Sequence, residues 1–433
     1  MQKRNGMKVY KFGGASVKDA TGVKNIAKIL SMDHHSGLII VVSAMGKTTN
    51  ALEAVLKLQC ELQSWVKYLD EVQEYHKDIC KELFPAKHSI FHDLETIFNH
   101  LQTLLKPAKL ETFDYYYDQI ISQGEILSST IVSKYLIEEG FPCKFIDARQ
   151  LILTNSMHRS AKVDMINTAT AIRQKLNSKN TICLTQGFIA SNKNGDTTTL
   201  GREGSDYSAA IFASALDVDE LIIWKDVDGV YNADPKLFNN VKLMESLSYK
   251  EAVELAFYGA SIIHPKTIRP LQEKGIVLKV RSFYNLNNAG TRVSESSGSN
   301  TSQTSVIVKK RQVLLSLTPR DFSFMNVENM GLIFQLLSKH HYHINLIQNS
   351  AISFSLCVDE NYAHFDALKK DLMKHYVLKY NTDQVLVTIR HYTDEMIDKI
   401  YAKLKIKLEQ RNRSTYQILL SEDELELILF SMI

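Results

Sequence analysis

The chain has 433 residues, of which 45% are hydrophobic and 23% are charged, and its 51 basic and 48 acidic residues leave a net charge of +3. This length allows two or three domains with substantial cores. The near balance of charge argues against a protein that binds nucleic acid or a membrane surface, and no apolar run is long enough to cross a bilayer. The first residues lead into a strand pattern without the apolar core of a signal peptide, so we expect a cytoplasmic protein.

The cysteines and histidines indicate neither a disulfide framework nor a metal site. The cysteines are odd in number and far apart, which is typical of free thiols in a reducing compartment; they are Cys60, Cys80, Cys143, Cys183 and Cys357. The histidines at 34–35 and 340–343 have no carboxylate or cysteine at ligand spacing, so we interpret them as surface or helix-end residues. We therefore predict no metal ion bound by the protein alone.

Strand and helix patterns alternate through residues 1–293. Six strand-like runs are mostly continuous apolar segments, as a parallel sheet covered on both faces requires; they are Met7–Phe12, Leu38–Ser43, Cys143–Asp147, Thr181–Gln186, Glu220–Lys225 and Ile276–Arg281. They predict an α/β domain with right-handed crossovers and with sites at the carboxyl ends of its strands. Residues 51–109 show helical periodicity alone, and we predict an all-helical insertion that covers the domain without chemistry of its own.

The pattern changes after residue 293. Residues 294–311 begin with a serine-rich polar stretch and predict a linker. Residues 312–383 then read as strand, helix, two strands, helix and strand, which is the split βαββαβ order. Residues 384–433 begin the same order again in a shorter copy. Two tandem copies indicate a regulatory module rather than a second catalytic domain.

A glycine turn near the start of the chain, from Lys11 through Gly13 and Gly14 to Ser16, joins the first strand to a helical pattern. Glycines let the backbone approach a phosphate closely, and free N–H groups at a helix start point towards it. Lys11 would add a positive charge there. The same residues also fit a plain turn with a solvated lysine, and the segment matches neither a P-loop nor a G-x-G-x-x-G fingerprint.

Two further segments place polar residues where a site is expected. Ser43 and Thr49 follow the second strand, and small hydroxylated side chains in that position can line a polar ligand site. Glu125 opens a helix among isoleucine and leucine residues, an unusual place for a solvated carboxylate. It either binds an ammonium group or caps the helix.

The last two segments are loops that follow strand-like runs. Arg202 lies between glycines before a helix that we predict from Tyr207 to Ala215, with Ser205 or Asp206 as its N-cap. Arg202 either forms paired hydrogen bonds with a carboxylate or phosphate or belongs to a plain capping loop. The segment 224–236 ends a strand in Asp, Gly, Tyr and Pro, which gives either a loop that borders a nucleotide base or an ordinary turn.

Taken in chain order, these segments resemble the aspartate kinases of the amino-acid kinase superfamily. That family carries K-F-G-G-T-S, V-S-A with a T-N pair, G-E, G-R-G-G-S-D-Y, W-T-D-V-x-G-x-Y-x-x-D-P and F-G-A-x-x-x-H-P, and each has a counterpart here, the last at 258–265. The resemblance covers essentially the whole chain and implies a mainly parallel sheet sandwiched by helices, followed by two ferredoxin-like ACT domains. The chain departs from the family pattern at Ala15, Glu203, Lys225 and Ser261.

The resemblance implies an enzyme that uses ATP and Mg²⁺ to phosphorylate the side-chain carboxylate of L-aspartate, the first step of lysine, threonine and methionine biosynthesis. Its catalytic residues would be Lys11 and Asp206. The phosphates and the nucleotide would be contacted by Gly13, Gly14, Ser16, Lys225, Asp226, Tyr231, Lys236 and Ser261. Aspartate would be bound by Ser43, Thr49, Glu125, Arg202 and Ser205, with Arg202 on its α-carboxylate and Glu125 on its α-ammonium group.

The resemblance also implies an amino-acid effector, with Met330, Asn345 and Ser350 as candidate contacts, and a homodimer or higher homo-oligomer formed through the ACT domains. Lysine-binding relatives carry acidic residues where this chain has Asn345 and Ala351, so we expect weak or absent inhibition by lysine, with threonine or no effector as alternatives. No segment of dehydrogenase size follows, so we expect a monofunctional enzyme. Two other functions stay open: a kinase for another amino acid, such as glutamate, and a catalytically silent amino-acid sensor.

Overall fold

The first strand, β1 (Lys8–Phe12), is apolar and almost wholly buried, as a strand at the centre of a two-sided sheet must be. In the computed structural model the described residues are 6–32, 37–106, 112–176, 181–260, 263–296, 303–321 and 323–429. The chain forms two compact units. The first comprises residues 1–230, 244–253 and 262–299, and the second comprises 231–243, 254–261 and 300–433.

The first unit is built around a mainly parallel sheet. After β1 its strands are β2 (Leu38–Val42), β3 (Cys143–Phe145), β4 (Ile182–Gln186), β5 (Ile189–Ser191), β6 (Thr197–Thr199), β7 (Glu220–Lys225), β8 (Ser246–Ser248), β9 (Val277–Ser282) and β10 (Thr291–Ser294). The sheet order is β3-β4-β2-β1-β7-β9-β10-β8, and β5 and β6 pair separately as a hairpin. Neighbours in the sheet run parallel except β9 and β10.

This topology confirms the predicted fold class. The six predicted strands are all present, although the third ends at Phe145 rather than Asp147. The strands that the sequence did not reveal have only three or four residues, which is too short for a periodic signal.

The helices of this part of the chain cover the sheet and supply most of its core. They are α1 (Ala20–Ser31), α2 (Thr48–Cys60), α3 (Val66–Leu83), α4 (Ile90–Leu105), α5 (Phe113–Ile121), α6 (Gln123–Glu138), α7 (Met165–Lys175), α8 (Gly204–Leu216), α9 (Tyr249–Tyr258) and α10 (Pro265–Lys274). The predicted helical insertion is α2 to α4, and its residues 107–109 lie outside the described part. Leu69, Phe98 and Leu101 of this insertion are buried in the same hydrophobic cluster as Phe12, so the insertion is part of the core and not only a cover.

The second unit contains an antiparallel sheet with helices. Its strands are β11 (Ser305–Pro319), β12 (Ile344–Asn349), β13 (Phe354–Asp359), β14 (Tyr376–Arg390), β15 (Leu408–Arg411) and β16 (Thr415–Ser421), and its helices are α11 (Val327–Lys339), α12 (Tyr362–Leu372), α13 (Asp394–Tyr401) and α14 (Leu425–Leu429). The sheet order is β12-β13-β11-β14-β16-β15.

Two long strands are shared between the two ferredoxin-like halves of this sheet. The second half of β11 pairs with β13, whereas its residues 305–309 pair with residues 386–390 of β14. The shorter C-terminal copy therefore receives its missing strand from residues 305–309. These residues fall within the predicted linker 294–311, so the linker prediction is wrong for that part. No local pattern indicates this pairing, because the partner strand lies about 80 residues away in the chain.

Among the residues that the structure describes, no helix has both the length and the apolar character needed to cross a bilayer.

Candidate active site

A cavity of about 780 Å³ opens where β1, β2 and β7 end in the first unit. Lys11 of β1, Ser43 after β2 and Lys225 at the end of β7 all line it. In parallel sheets, ligands bind at the carboxyl ends of strands, because loops and helix N-termini converge there. The cavity therefore lies where the strand pattern predicts a site.

The floor of the cavity carries a carboxylate between two lysines. The Lys11 Nζ atom lies 2.6 Å from Oδ1 of Asp206, and the Lys225 Nζ atom lies 3.6 Å from Oδ2. Lys11 and Asp206 are 7% and 3% exposed, so this is a buried ion pair. Burial acts to raise the pKa of Asp206, but the two neighbouring ammonium groups outweigh it and hold that pKa below its usual range.

The glycine turn is fixed against the loop that follows β2. The Gly46 amide donates to the Gly14 carbonyl oxygen at 3.0 Å, and a Cβ atom at Gly14 would lie 2.7 Å from the Ala44 carbonyl oxygen. Only glycine fits this approach of two backbones. The Ser16 hydroxyl is buried and donates to the Trp224 carbonyl oxygen at 3.4 Å, so Ser16 ties the turn to β7 rather than facing the cavity.

The helix that follows this turn does not contribute its N-terminus to the cavity wall, which corrects the predicted arrangement. α1 begins at Ala20, and Oδ1 of its N-cap Asp19 accepts from the Gly22 amide at 2.8 Å. This carboxylate satisfies one of the free amides and supplies a negative charge at that helix start. The helix start that lines the cavity is that of α8, through Gly204, Ser205 and Asp206.

The start of α8 corrects a second prediction. The helix begins at Gly204 with Glu203 as its N-cap, and not at Tyr207 with Ser205 or Asp206 as the cap. Ser205 and Asp206 therefore lie in the first helical turn, and both line the cavity. A Cβ atom at Gly187 would lie 2.5 Å from the Ser205 Cβ, so the end of β4 fixes where this turn sits.

Glu125 is a second deeply buried carboxyl group in the cavity wall. It is 3% exposed, Oε1 accepts from the Ala44 amide at 3.4 Å, and Oε2 is buried without a hydrogen-bond partner among the described residues. Burial raises the pKa of Glu125 to about 8, against the opposing effects of the Ala44 hydrogen bond and the Lys11 charge. A buried carboxyl group that lacks a partner is suited to receive a cationic ligand group.

Arg202 also lines the cavity, but unlike Glu125 it is exposed. Its side chain makes no hydrogen bond or ion pair with any residue that the structure describes. A guanidinium group with all its donors available at a cavity wall can bind a carboxylate through two parallel hydrogen bonds. Ser43, Thr49 and Ser205 line the same cavity, so all five residues predicted to bind the amino acid are brought together.

The predicted nucleotide contacts are not gathered in the same way. Gly14 and Lys225 line the cavity. Asp226 is exposed and lies outside its wall, whereas Tyr231 and Lys236 belong to the second compact unit. Gly13 lies in the turn, where its carbonyl oxygen accepts from the Ser16 amide at 2.9 Å. Ser261 lies outside the described residues.

Five residues of the cavity wall lie outside every segment that the sequence marked: Asp114, Tyr117, Arg159, Ser160 and Phe188. Phe188 follows the end of β4, so the rule that sites lie at the carboxyl ends of parallel strands could have found it. Tyr117 and Arg159 had no such signal, because one lies within a helix and the other in a loop that no motif marks.

The described residues contain no group of three His, Cys, Asp or Glu side chains placed to hold a metal ion. Both oxygens of Asp206 already face lysine ammonium groups. A divalent cation would therefore have to arrive with a ligand that brings most of its oxygen donors.

The candidate effector residues in the second unit do not form one cluster. Asn345 and Ser350 lie at opposite ends of β12, and Met330 packs in the core of the first ferredoxin-like half. The Asn345 carboxamide oxygen accepts from the Lys309 ammonium group at 2.8 Å, and its nitrogen donates to Asp359 at 2.8 Å. Lys309 also pairs with Asp359 at 2.7 Å, so an internal ammonium group already occupies this polar site.

Comparison with protein families places this architecture among known ones. The model of the amino acid kinase family matches residues 6–282. Lysine-sensitive aspartokinase 3 of Escherichia coli (strain K12) is 31% identical over 357 residues, which are 81% of this chain and 78% of that protein. The chloroplastic bifunctional aspartokinase/homoserine dehydrogenase 2 of Arabidopsis thaliana is 31% identical over 290 residues, which are 65% of this chain and 32% of that protein. This chain thus spans about a third of the length of that relative.

Two solved structures are similar to this chain over nearly its whole length. The crystal structure of E. coli aspartokinase III in complex with lysine and aspartate (T-state) has a TM-score of 0.84 at 25% identity and covers 98% of each chain. The crystal structure of E. coli aspartokinase III with aspartate and ADP (R-state) has a TM-score of 0.83 at 25% identity and the same coverage.

Proposed function

Because the chain belongs to the amino acid kinase family and, within it, to the aspartokinases, we propose that it transfers the γ-phosphoryl group of ATP to the side-chain carboxylate of L-aspartate. The product is 4-phospho-L-aspartate, the first intermediate on the route to lysine, threonine and methionine. One observation supports the proposal: a single cavity holds a lysine–carboxylate–lysine cluster together with a buried glutamate and an arginine that has no ion pair among the described residues.

The lysine cluster supplies what phosphoryl transfer needs most, which is fixed positive charge. The transition state spreads negative charge over the phosphoryl oxygens, so catalysis depends on positioning and on cations. Asp206 holds the Lys11 and Lys225 ammonium groups in place before the substrate arrives. ATP enters as its magnesium complex and brings the metal ion with it. The amides at the start of α8 and the Gly13–Gly14 turn would receive its phosphates.

The arginine and the glutamate supply recognition of an amino acid. Arg202 would bind the α-carboxylate, and Glu125 would bind the α-ammonium group through the oxygen that is buried without a partner. Ser43, Thr49 and Ser205 would contact oxygens of the substrate or the phosphate. With its α-groups held in this way, the substrate would direct its side-chain carboxylate towards the lysine cluster.

The acceptor is already ionised at neutral pH, so the reaction needs no general base. The cavity instead must bring a carboxylate and a polyphosphate together against their mutual repulsion. Lys11 answers this requirement, because its buried ammonium group can offset negative charge on both partners. We assign Lys11 to the moving phosphoryl group and Asp206 to holding Lys11.

The second unit supports two further proposals, on effector and on assembly. Lysine is proposed to inhibit weakly or not at all, because the Lys309 ammonium group already occupies the acceptors on Asn345 and Asp359.

A homodimer is proposed to form at the β12 edge of the sheet. That strand has one free edge, and Phe324, Val327 and Ile347 expose apolar side chains nearby in the same half of the unit.

An ATP-dependent hydroxamate assay with L-aspartate tests the activity, because hydroxylamine traps the acyl phosphate product. We expect a signal with L-aspartate and a much smaller one with L-glutamate. A larger signal with another amino acid would favour the alternative kinase, and none with any amino acid would favour a silent sensor. Repeating the assay with millimolar lysine or threonine tests regulation, and strong inhibition by lysine would overturn the effector proposal.

A further inference from the structure

The loop that carries Arg159 adopts a strained backbone. Arg159 has φ = 64°, a left-handed conformation that side chains other than glycine adopt at a cost. The loop is held there by Asp118, which is fully buried. Asp118 accepts from the Arg159 amide at 3.1 Å, from His158 Nδ1 at 2.8 Å and from the Thr199 hydroxyl at 2.6 Å. A buried carboxylate with three donors fixes the position of Arg159.

The side chain of Arg159 gains little stability in return for this strain. Its guanidinium carbon lies 4.7 Å from the centre of the Tyr117 ring and 5.6 Å from that of Phe113. Its ion pair with Asp114, at 3.2 Å, joins side chains that are 47% and 57% exposed, so solvent screens it. Strained residues whose side chains are not needed for packing occur mainly at functional sites.

Arg159 belongs to the wall of the candidate active-site cavity. It lines the same cavity as Arg202, and Tyr117, on which its guanidinium group rests, lines it as well. The two arginine loops touch, because a Cβ atom at Gly201 would lie 3.2 Å from the Arg159 carbonyl oxygen. The loop fixed by Asp118 therefore brings a second arginine to the cavity wall that carries Arg202.

We infer that Arg159 is a second substrate-binding arginine, which shares the α-carboxylate of the amino acid with Arg202. A carboxylate has about four lone-pair directions and can accept from two guanidinium groups at once. The aromatic rings hold Arg159 in place before binding, whereas Arg202 is free to close on the substrate. The inference rests on the proposed function and predicts that the enzyme selects for an intact α-carboxylate, since an amide would offer the two guanidinium groups no negative charge.

The test compares Arg159→Ala with Arg159→Gly. Both remove the guanidinium group, and we expect both to raise the aspartate KM by the same factor of about tenfold or more, with the ATP KM and kcat within about twofold of wild type. Glycine accepts the left-handed backbone and alanine does not, so Arg159→Gly should unfold at a higher temperature than Arg159→Ala. Leu62→Gly and Leu62→Ala, at an exposed residue with φ = 57°, calibrate this difference away from the cavity.

A merely structural role gives the opposite pattern, in which KM follows stability and Arg159→Gly binds aspartate better than Arg159→Ala. That result, or an unchanged KM in both variants, would overturn the inference.

Isoasparagine, the α-amide of aspartate, adds a second readout. Wild type should prefer aspartate strongly, and Arg159→Ala should reduce that preference. In a double-mutant cycle, Arg159→Ala and Arg202→Ala should be non-additive in aspartate KM, and additive effects would contradict a shared carboxylate.

The two proposals fail separately. If wild type does not phosphorylate aspartate, the proposed function fails. If wild type is active and the Arg159 variants have the same aspartate KM as wild type, only the inferred role of Arg159 is rejected. Arg159→Lys, which keeps the charge without the planar fork, should fall between wild type and Arg159→Ala.

Discussion

Two sets of residues in the cavity wall differ in how they are paired: Lys11, Lys225 and Asp206, here called the lysine end, and Arg202 and Glu125, here called the amino-acid end. At the lysine end, Asp206 already pairs with Lys11 at 2.6 Å and with Lys225 at 3.6 Å. At the amino-acid end, Arg202 makes no hydrogen bond or ion pair with the described residues, and one oxygen of Glu125 is buried without a partner. The lysine end pairs its charges within the protein, whereas Arg202 and Glu125 leave hydrogen-bonding groups available for the ligand.

This difference follows from what each end has to do. Charge that stabilises a transition state acts best when it is fixed beforehand, because no reorganisation is then needed as the reaction proceeds. Groups that bind a substrate gain most when the substrate completes their pairing. The cost falls on the folded protein, since an unpaired buried carboxyl group such as Glu125 lowers its stability until the ligand binds. Variants at the lysine end should therefore change kcat, and variants at the amino-acid end should change KM.

Lys11→Ala should have the largest effect. It removes the cation assigned to the moving phosphoryl group, and we expect kcat to fall by about 10²–10³-fold, as for the loss of one preorganised donor. The aspartate KM should change much less, because the amino-acid end is intact. Steady-state kinetics of ADP release measures both.

Lys8→Ala is the matched control for Lys11→Ala. Lys8 lies on the same strand and also pairs with a carboxylate, Glu220 at 3.5 Å, but does not line the cavity. It should leave kcat close to that of wild type. If Lys11→Ala turned over substrate nearly as fast as Lys8→Ala, the lysine end would not be catalytic.

Arg202→Ala should act on binding alone. Losing a charged, hydrogen-bonded pair costs about 1–3 kcal/mol, which corresponds to a rise of roughly 5- to 150-fold in the aspartate KM. The melting temperature should stay unchanged, because Arg202 makes no hydrogen bond or ion pair with the described residues. Arg173→Ala gives the reverse pattern as a control, since Arg173 donates to the Ala215 carbonyl oxygen at 2.7 Å and lies outside the cavity wall. An unchanged aspartate KM in Arg202→Ala would show that Arg202 does not bind the substrate.

The lysine end was more predictable from sequence than the positions that surround it. Lys11 and its turn follow directly from a strand and two glycines, all within a few residues. The start of α8 was misplaced because Ser205 and Asp206 have the chemistry of N-caps. Their true place in the first turn depends on Gly187, which packs against Ser205 from another strand end.

Arg159 and the shared strands show that local sequence patterns do not report contacts between residues far apart in the chain. The position of Arg159 is set by Asp118, 41 residues earlier in the chain, and no local pattern reports such a contact. Similarly, residues 305–309 become a strand only because β14 offers them an edge. Local chemistry was readable throughout the chain, but the elements that complete a site or a sheet from a distance were not.

Glu125→Gln should remove a pH dependence. The pKa of Glu125 is raised to about 8 by burial, so the carboxylate that binds the α-ammonium group becomes more populated as the pH rises towards that value. In wild type, the aspartate KM should fall between about pH 6 and pH 8. In Glu125→Gln, it should be higher, by about tenfold, and nearly flat over the same range. Equal slopes in the two proteins would exclude Glu125 as the titrating group.

Stability gives an independent check on Glu125, with a defined sign. Its pKa is higher in the folded state, about 8, than the value of about 4.3 for an unfolded glutamate. The folded state therefore binds more protons between these values, and stability falls as the pH rises from one to the other. Without substrate, the melting temperature of wild type should drop relative to that of Glu125→Gln over this window. Parallel curves would show that the carboxyl group is not protonated in the folded enzyme.

Lys225→Thr should have the smallest effect. It tests whether Lys225 contributes to phosphoryl transfer in addition to Lys11. Threonine is the common family residue here, and Lys225 lies farther from Asp206 than Lys11 does. Asp206 would keep its closer partner, so we expect kcat to fall by about tenfold or less, with the aspartate KM unchanged. A fall as large as that of Lys11→Ala would make both ammonium groups equal partners in transfer. A rise in kcat would instead mean that Lys225, by competing with Lys11 for the Asp206 carboxylate, leaves Lys11 less firmly held and so slows the reaction.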